Sequence, residues 1–133
     1  MKIIYNNIIP FKGFKAMNLF GVLFVRNDIK TPMDEIDINH EAIHSEQYKE
    51  MLWIPFLIWY GIEWFIKIFI YGDTHKAYRN ISFEREAYQN EHNLEYLSNR
   101  KRYKWFKLIK WLLIIEVYLG WVLLNPDFFC IFA

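Results

Sequence analysis

Two apolar stretches near the start of the chain, at residues 3–9 and 17–26, are rich in Ile, Leu, Phe and Val. A turn-like stretch at 10–15, which contains Pro10 and Gly13, separates them. Runs of β-branched and aromatic residues between turn-forming residues are typical of strands. We therefore expect two strands that pair with each other, as a β-hairpin or in a small sheet.

The following stretches have the pattern of α-helices. Thr-Pro-Met-Asp at residues 31–34 has the spacing of a capping box with Pro at the first helical position, and predicts a helix over about residues 33–52. Another helix is expected over about residues 74–98, with a break near 80–82, because apolar positions recur there on one face. Strands followed mainly by helices predict an α+β fold that is mostly helical.

Two further apolar segments, at residues 51–71 and 105–124, approach the length of a membrane span. A span needs about 20 mainly apolar residues, and an ionisable residue at its centre costs about 2.5–3.5 kcal/mol. The first segment contains Glu63 and Lys67 and the second Glu116, so both are marginal. The second follows a stretch of basic residues, which favours a cytoplasmic flank beside anionic lipid; a core helix with a solvated basic lead-in is the alternative.

Composition narrows the choice of protein class. The 133 residues are 54% hydrophobic and 20% aromatic, which excludes a disordered chain. The single cysteine, Cys130, excludes an intramolecular disulfide framework and a cysteine-rich zinc module. A net charge of +1 gives no sign of nucleic-acid binding. Residues 1–15 lack the apolar run and cleavage site of a signal peptide, so we expect the chain to start in the cytoplasm.

The clearest chemical motif is His-Glu-Ala-Ile-His at residues 40–44, which fits H-E-x-x-H within the predicted helix. Positions i and i+4 lie on one helical face, so His40 and His44 can bind the same zinc ion. Glu41 lies one position further round the helix and can reach a water molecule at that ion without binding the metal. It is therefore the expected general base and proton donor.

A catalytic zinc site needs a third protein ligand beside the two histidines and keeps one open position. Glu84 is favoured because it stands at the start of a second helical stretch, and the small Ala87 would let the two helices approach closely. Glu86 is the next candidate; the remaining alternatives are a histidine, His75 or His92, or the absence of a third protein ligand.

The H-E-A-I-H motif, followed about forty residues later by Glu-Arg-Glu-Ala at 84–87, resembles the gluzincin class of zinc metallopeptidases. That class includes short minigluzincin domains and membrane-embedded peptidases, and the resemblance covers about residues 17–98. It implies a zinc ion, Zn²⁺, with three protein ligands and one catalytic base: His40, His44 and Glu84 as ligands, and Glu41 as the base.

The chain departs from the family pattern at Tyr88, where those peptidases usually have an Asp that orients a ligand histidine. The departure places full activity in question, though not metal binding. Asp37 or Asn39 could substitute for the missing acid. Gln47, on the same face as the two histidines, is expected to be an ordinary helix-surface residue.

Shared zinc ligands constrain the apolar segment at residues 51–71. A straight crossing would be about 30 Å long at about 1.5 Å per residue, and would separate Glu84 from His40 by the thickness of a membrane. We therefore expect the segment to fold back, with a turn near Gly61, or to lie along the membrane interface or in a core. The C-terminal segment is then the only candidate for a full span.

These observations predict a zinc metallopeptidase-like domain at residues 1–99 and a basic stretch with an apolar C-terminal helix, a possible membrane anchor, at 100–133. The expected partners are a peptide or protein substrate and membrane lipid, without nucleic acid. The stretch at residues 18–25 could bind an extended peptide at a sheet edge, although sheet core is the commoner role. The active site would face the cytoplasm at a membrane, or the protein would be cytoplasmic. Two other functions remain open: a catalytically inactive metal-binding regulator, and a membrane interaction protein in which the motif is accidental.

Overall fold

A computed structural model describes residues 2–10, 12, 14–28, 33–109, 119, 120 and 124. Its N-terminal part is a three-stranded sheet: β1 (Lys2–Asn6), β2 (Ala16–Leu19) and β3 (Val22–Arg26). The strand order is β1-β3-β2, with β1 parallel and β2 antiparallel to the central β3. The helices follow the sheet, so the predicted α+β, mostly helical fold is confirmed.

The stretch predicted as one strand at residues 17–26 is in fact a tight hairpin. Phe20 and Gly21 form its turn with φ values of 53° and 76°. Positive φ at both central residues is typical of the type I′ turn, whose twist matches that of the two flanking strands. The predicted pairing of residues 3–9 with this stretch is present, but as a parallel ladder between β1 and β3, so the two do not form a simple hairpin.

Helix α1 (Glu35–Met51) carries the H-E-x-x-H motif. It begins at a capping box in which the Asp34 carboxylate accepts from the Asp37 backbone N–H, and the Asp37 side chain accepts from the Asp34 N–H. The cap predicted at residues 31–34 is therefore displaced, since Asp34 is the capping residue; residues 31 and 32 lie outside the described part. The helix ends at Leu52, in the left-handed conformation that often terminates helices.

Helix α2 (Ile54–Tyr71) is continuous, so the turn predicted near Gly61 is wrong. The chain folds back at the ends of the helix instead. Leu52 and Trp53 both have positive φ and reverse the chain after α1, and Gly72, with a φ of 64°, closes α2. Among the described residues, α2 is a helix that is long and apolar enough to cross a membrane by length and composition alone; 17% of its 18-residue window is buried.

The predicted helix over residues 74–98 is broken near residues 80–82, as expected, and is broken a second time at residues 91–95, where the prediction of a continuous helix is wrong. It consists of α3 (Thr74–Arg79), α4 (Ser82–Asn90) and α5 (Tyr96–Asn99), and a short 3-10 helix, η1 (Lys104–Leu108), follows. A hydrophobic core joins α1, α2, α4 and η1 through the side chains of Tyr48, Phe56, Ile81, Phe83, Trp105 and Ile109. Most of the C-terminal helix predicted over 105–124, and with it the proposed membrane anchor, lies outside the described residues.

Candidate metal centre

The centre forms where α1 and α4 meet. His40 and His44 lie one turn apart on the face of α1 that points into the protein, and their exposed fractions are 8% and 7%. Glu84 stands in the first turn of α4 and is 2% exposed. One potential ligand atom from each of these three residues lies within 4.8 Å of the other two, so the group could hold a metal ion.

The distances within the group suit a metal ion. The Nε2 atoms of His40 and His44 are 3.1 Å apart. The Glu84 carboxylate lies between them, with Oε1 3.3 Å from His44 Nε2 and Oε2 3.5 Å from His40 Nε2. Ligand atoms about 2.0–2.1 Å from a tetrahedral zinc ion are about 3.3 Å from one another. The observed spacing is therefore that of ligands around one small ion.

Each histidine is oriented through its other ring nitrogen. His40 Nδ1 is 2.8 Å from Glu91 Oε2, and His44 Nδ1 is 2.8 Å from Gln47 Oε1. The amide of Gln47 can have only one orientation, because its Nε2 donates to the Phe83 carbonyl and to a Glu86 carboxylate oxygen. Both Nδ1 atoms must therefore carry the proton, which leaves the Nε2 lone pairs facing Glu84.

Three acceptor groups thus converge, and the Tyr60 hydroxyl donates to one of them, Glu84 Oε1, at 2.8 Å. Glu84 Oε2 is buried and has no hydrogen-bond partner among the described residues. An unpaired buried carboxylate oxygen is costly, so the arrangement attracts a cation, which can be a proton or a metal ion. In the protonated case, burial lowers the pKa of His44, but the nearby Glu84 carboxylate more than reverses this and raises that pKa to about 9. Burial raises the pKa of Glu84, and the two histidines outweigh it and lower that pKa below its usual range.

Glu41 lies beside the histidines and contributes to the walls of two adjoining cavities. The first cavity has a volume of about 270 Å³ and reaches His44 and Glu84, and the second reaches His40. Burial raises the pKa of Glu41, although the neighbouring histidines act in the opposite direction. A carboxylate in this position can accept a proton from a molecule in either cavity.

The alternative ligands lie elsewhere. Glu86 is fully buried, but its carboxylate binds the side chains of Gln47, Tyr96 and Arg100 and so lies behind the centre. His75 is exposed, and the His92 side chain is 75% exposed beside Glu91. The structure therefore brings Glu84 to the two histidines and leaves Glu86, His75 and His92 outside the cluster.

Two expectations about the surrounding residues are wrong. Gln47 is fully buried and orients His44, and is not a surface residue. Glu91, and neither Asp37 nor Asn39, takes the role of the acid that orients a histidine. Asp37 caps α1, while the Asn39 amide donates to the backbone carbonyls at residues 91 and 93 and so fixes the turn that carries Glu91.

A buried charged network lies behind Gln47 and was missed in the sequence. Arg100 forms ion pairs with Glu50 of α1 and with Glu86 of α4. The Trp105 indole N–H also donates to Glu50. In the sequence, Glu50 follows Glu46 by one helical turn on α1. A solvated carboxylate can have the same position, so the spacing does not indicate that Glu50 is buried. The network connects the basic stretch to both helices of the metal centre.

Strand β2 forms the rim of the first cavity opposite the centre. Ala16 to Leu19 line that cavity together with Glu41, His44 and Glu84. The strand is at the edge of the sheet, because its single partner among the described strands is β3. Asn18 holds it against α1, since its amide donates to the Glu41 carbonyl and to Ser45 Oγ.

Comparisons of the chain with protein-family models, with curated proteins and with solved structures found no match.

Proposed function

We propose that the protein is a zinc-dependent metallopeptidase. The proposal depends above all on one observation: His40, His44 and Glu84 converge at 3.1–3.5 Å with their lone pairs facing one another. Two imidazoles and a carboxylate are the ligand set of one class of catalytic zinc peptidases, with the fourth position open to water or substrate. The adjoining cavities reach these three residues and would admit a substrate to them.

Glu41 is the proposed base. Zinc in this position supplies Lewis-acid polarisation and activates a water molecule. Glu41 would take a proton from a water molecule in the adjoining cavity and pass it to the leaving amine; burial raises the pKa of its carboxylate and so favours the first of these two steps. Tyr78 lines both cavities, and its hydroxyl could donate to the developing oxyanion; burial raises the pKa of Tyr78, so the hydroxyl stays protonated.

A peptide substrate would bind along β2. An edge strand can pair with an extended peptide, and β2 is an edge strand among the described strands that lines the first cavity together with Glu41, His44 and Glu84. The cavity wall is largely apolar, with Met17, Leu57 and Trp64 among its residues, and suits an apolar substrate side chain.

The test combines metal analysis with a cleavage assay. The purified protein should carry stoichiometric zinc and cleave unfolded casein, or itself. Glu41→Gln should keep the zinc and reduce cleavage by about 100-fold or more, because general acid–base catalysis contributes that much. Glu46→Gln, on the same helix but about half exposed, is the matched control and should leave both unchanged. Absence of zinc, or full cleavage by Glu41→Gln, would overturn the proposal.

A second candidate function is metal-dependent regulation without catalysis. Tyr88 favours it, because its ring packs edge-on against His40 with ring centroids 4.7 Å apart, and the Arg79 guanidinium lies over the Tyr88 ring at 4.4 Å. An aromatic ring therefore lies against His40 at the sequence position where the peptidases that the motif resembles usually have an Asp. Stoichiometric zinc together with no cleavage by the unmodified protein would support this function over the peptidase.

A further inference from the structure

Helix α2 has an exposed face that carries no charge. Its exposed residues form one continuous half of the helix surface and are all apolar or aromatic, apart from a glycine and a proline: Ile54, Pro55, Leu57, Ile58, Gly61, Ile62, Trp64, Phe65 and Phe69. The exposed fractions of Ile58, Ile62, Phe65 and Phe69 are 57%, 56%, 62% and 72%. A continuous exposed apolar surface is typical of a binding surface.

The charged residues of α2 point the other way. Glu63 and Lys67 are 5% and 2% exposed and form an ion pair inside the protein. Glu63 also accepts hydrogen bonds from the backbone N–H and the hydroxyl of Ser82, and Lys67 donates to the Asn80 carbonyl. Burial of two charged side chains carries a desolvation cost that exposed ones avoid. A helix with apolar side chains outside and charged ones inside is therefore the reverse of the distribution expected in water.

The inner face of α2 is packed against the rest of the protein along its whole length. Phe56 contacts the rings of Tyr48 and Phe83 near one end, and Lys67 binds Asn80 near the other. A helix held in this way cannot be surrounded by lipid. It can instead lie in the plane of a membrane surface with its outer face in the acyl-chain boundary.

Positive charge lies beside this face. Trp105 in η1 packs edge-on against Trp59 of α2, with ring centroids 6.0 Å apart. Four basic residues around Trp105 are exposed: Lys101, Arg102, Lys104 and Lys107. Tyr103 and Phe106, among them, are also about half exposed. Basic and aromatic residues next to an apolar helix face complement the surface of an anionic bilayer.

From these observations we propose that the outer face of α2, with the basic residues around η1, binds the surface of an anionic lipid bilayer. Leu57 and Trp64 belong both to this face and to the wall of the first cavity, so the mouth of that cavity opens at the membrane surface. In combination with the proposed peptidase function, on which this consequence alone depends, the substrates would be peptide segments at the membrane surface.

The test is a fluorescence measurement on the full-length protein. An environment-sensitive fluorophore is attached at Ile62→Cys in a Cys130→Ser background, which leaves a single thiol. The matched control carries the label at Leu94→Cys, in the turn after α4, where the native side chain is 53% exposed. The vesicles consist of phosphatidylcholine with or without phosphatidylglycerol, and a second set contains brominated lipid as a quencher.

We expect a blue shift and quenching by brominated lipid at position 62, stronger with phosphatidylglycerol, and neither at position 94. Three outcomes would overturn the proposal. Vesicle binding without a response at position 62 would mean that another part of the chain holds the membrane. A blue shift without lipid that disappears on dilution would indicate a second copy of the chain on this face. A blue shift that is independent of lipid and persists at every dilution would indicate that the C-terminal segment of the same chain covers this face. Zinc content and casein cleavage, measured without vesicles, test the metal centre separately.

Discussion

Helices α1 and α2 are neighbours of nearly equal length, with 17 and 18 residues, and they distribute their side chains in opposite ways. Most of the buried residues of α1 are polar: Asn39, His40, His44 and Gln47, beside Ile43 and Tyr48. Most of the exposed residues of α2 are apolar. Hydrophobic burial alone explains neither helix, so each pattern points to a partner outside the described chain.

The two patterns suit different kinds of partner. On α1 the polar side chains converge at one point and orient one another through short hydrogen bonds, which suits a small ion. On α2 the apolar side chains spread over half of the helix surface, which suits an extended apolar phase. The first pattern specifies geometry and the second specifies only area, so α1 should be far more sensitive to single substitutions.

The largest expected effect is at the metal centre. His44→Ala removes one of the three candidate ligands and leaves the buried Glu84 carboxylate beside an empty space. Because a ligand is lost, metal affinity should fall by more than about 100-fold, which is a larger loss than the removal of an orienting residue causes. His92→Ala, at an exposed histidine, should leave metal content unchanged. Both are measured by zinc titration of the metal-free protein. Equal zinc binding by the two variants would show that His44 does not bind the metal.

The second-largest effect is expected on stability, at the buried ion pair of α2 between Glu63 and Lys67. Lys67→Met leaves the Glu63 carboxylate buried without its cation, and should lower the free energy of unfolding by about 3–5 kcal/mol. The double variant with Glu63→Gln should lose less, because no charge stays buried. Lys49→Met at the exposed pair with Glu46 should cost about 1 kcal/mol or less. Urea unfolding measures all three, and similar losses at both pairs would show that the Glu63–Lys67 pair is hydrated.

The convergence of His40, His44 and Glu84 could be predicted from the sequence. Helical period places His40 and His44 on one face, and ligand chemistry selects a downstream carboxylate, with Ala87 favouring Glu84. Glu91 could not be identified in the same way, since its contact with His40 depends on how the turn after α4 packs on Asn39. Residues that orient ligands are set by tertiary structure, which periodicity does not contain.

Some of the backbone turns could likewise be predicted from the sequence, and others could not. The break between α3 and α4 was predicted from the local sequence at residues 80–82. The turn at Phe20–Gly21 was missed because one glycine in an apolar run does not distinguish a bulge from a hairpin. At Gly61 a turn was predicted, but the helix continues through it. An interior glycine costs a helix about 1 kcal/mol, and packing of the face from Phe56 to Lys67 outweighs that cost.

A smaller effect should distinguish ligands from the residues that orient them. Gln47→Leu removes the acceptor for His44 Nδ1, so the ring is no longer held in its metal-binding tautomer, and zinc affinity should fall by about 10–100-fold. Lys49→Gln, two residues further along α1 and exposed, is the control. Zinc titration by competition with a chelator measures both. A loss as large as that of His44→Ala would mean that the substitution disrupts α1 itself.

The smallest effect is expected on the outer face of α2. Ile58→Gln should change the free energy of unfolding by no more than about 0.5 kcal/mol in solution, because the side chain is 57% exposed and contributes little to folding. Ile43→Ala, at a fully buried position of α1, should cost about 2–5 kcal/mol in the same urea experiment. A cost at Ile58 that approaches the cost at Ile43 would show that protein covers this face in solution. The proposal that α2 binds lipid, in contrast to α1 with its candidate metal ligands, would then no longer hold.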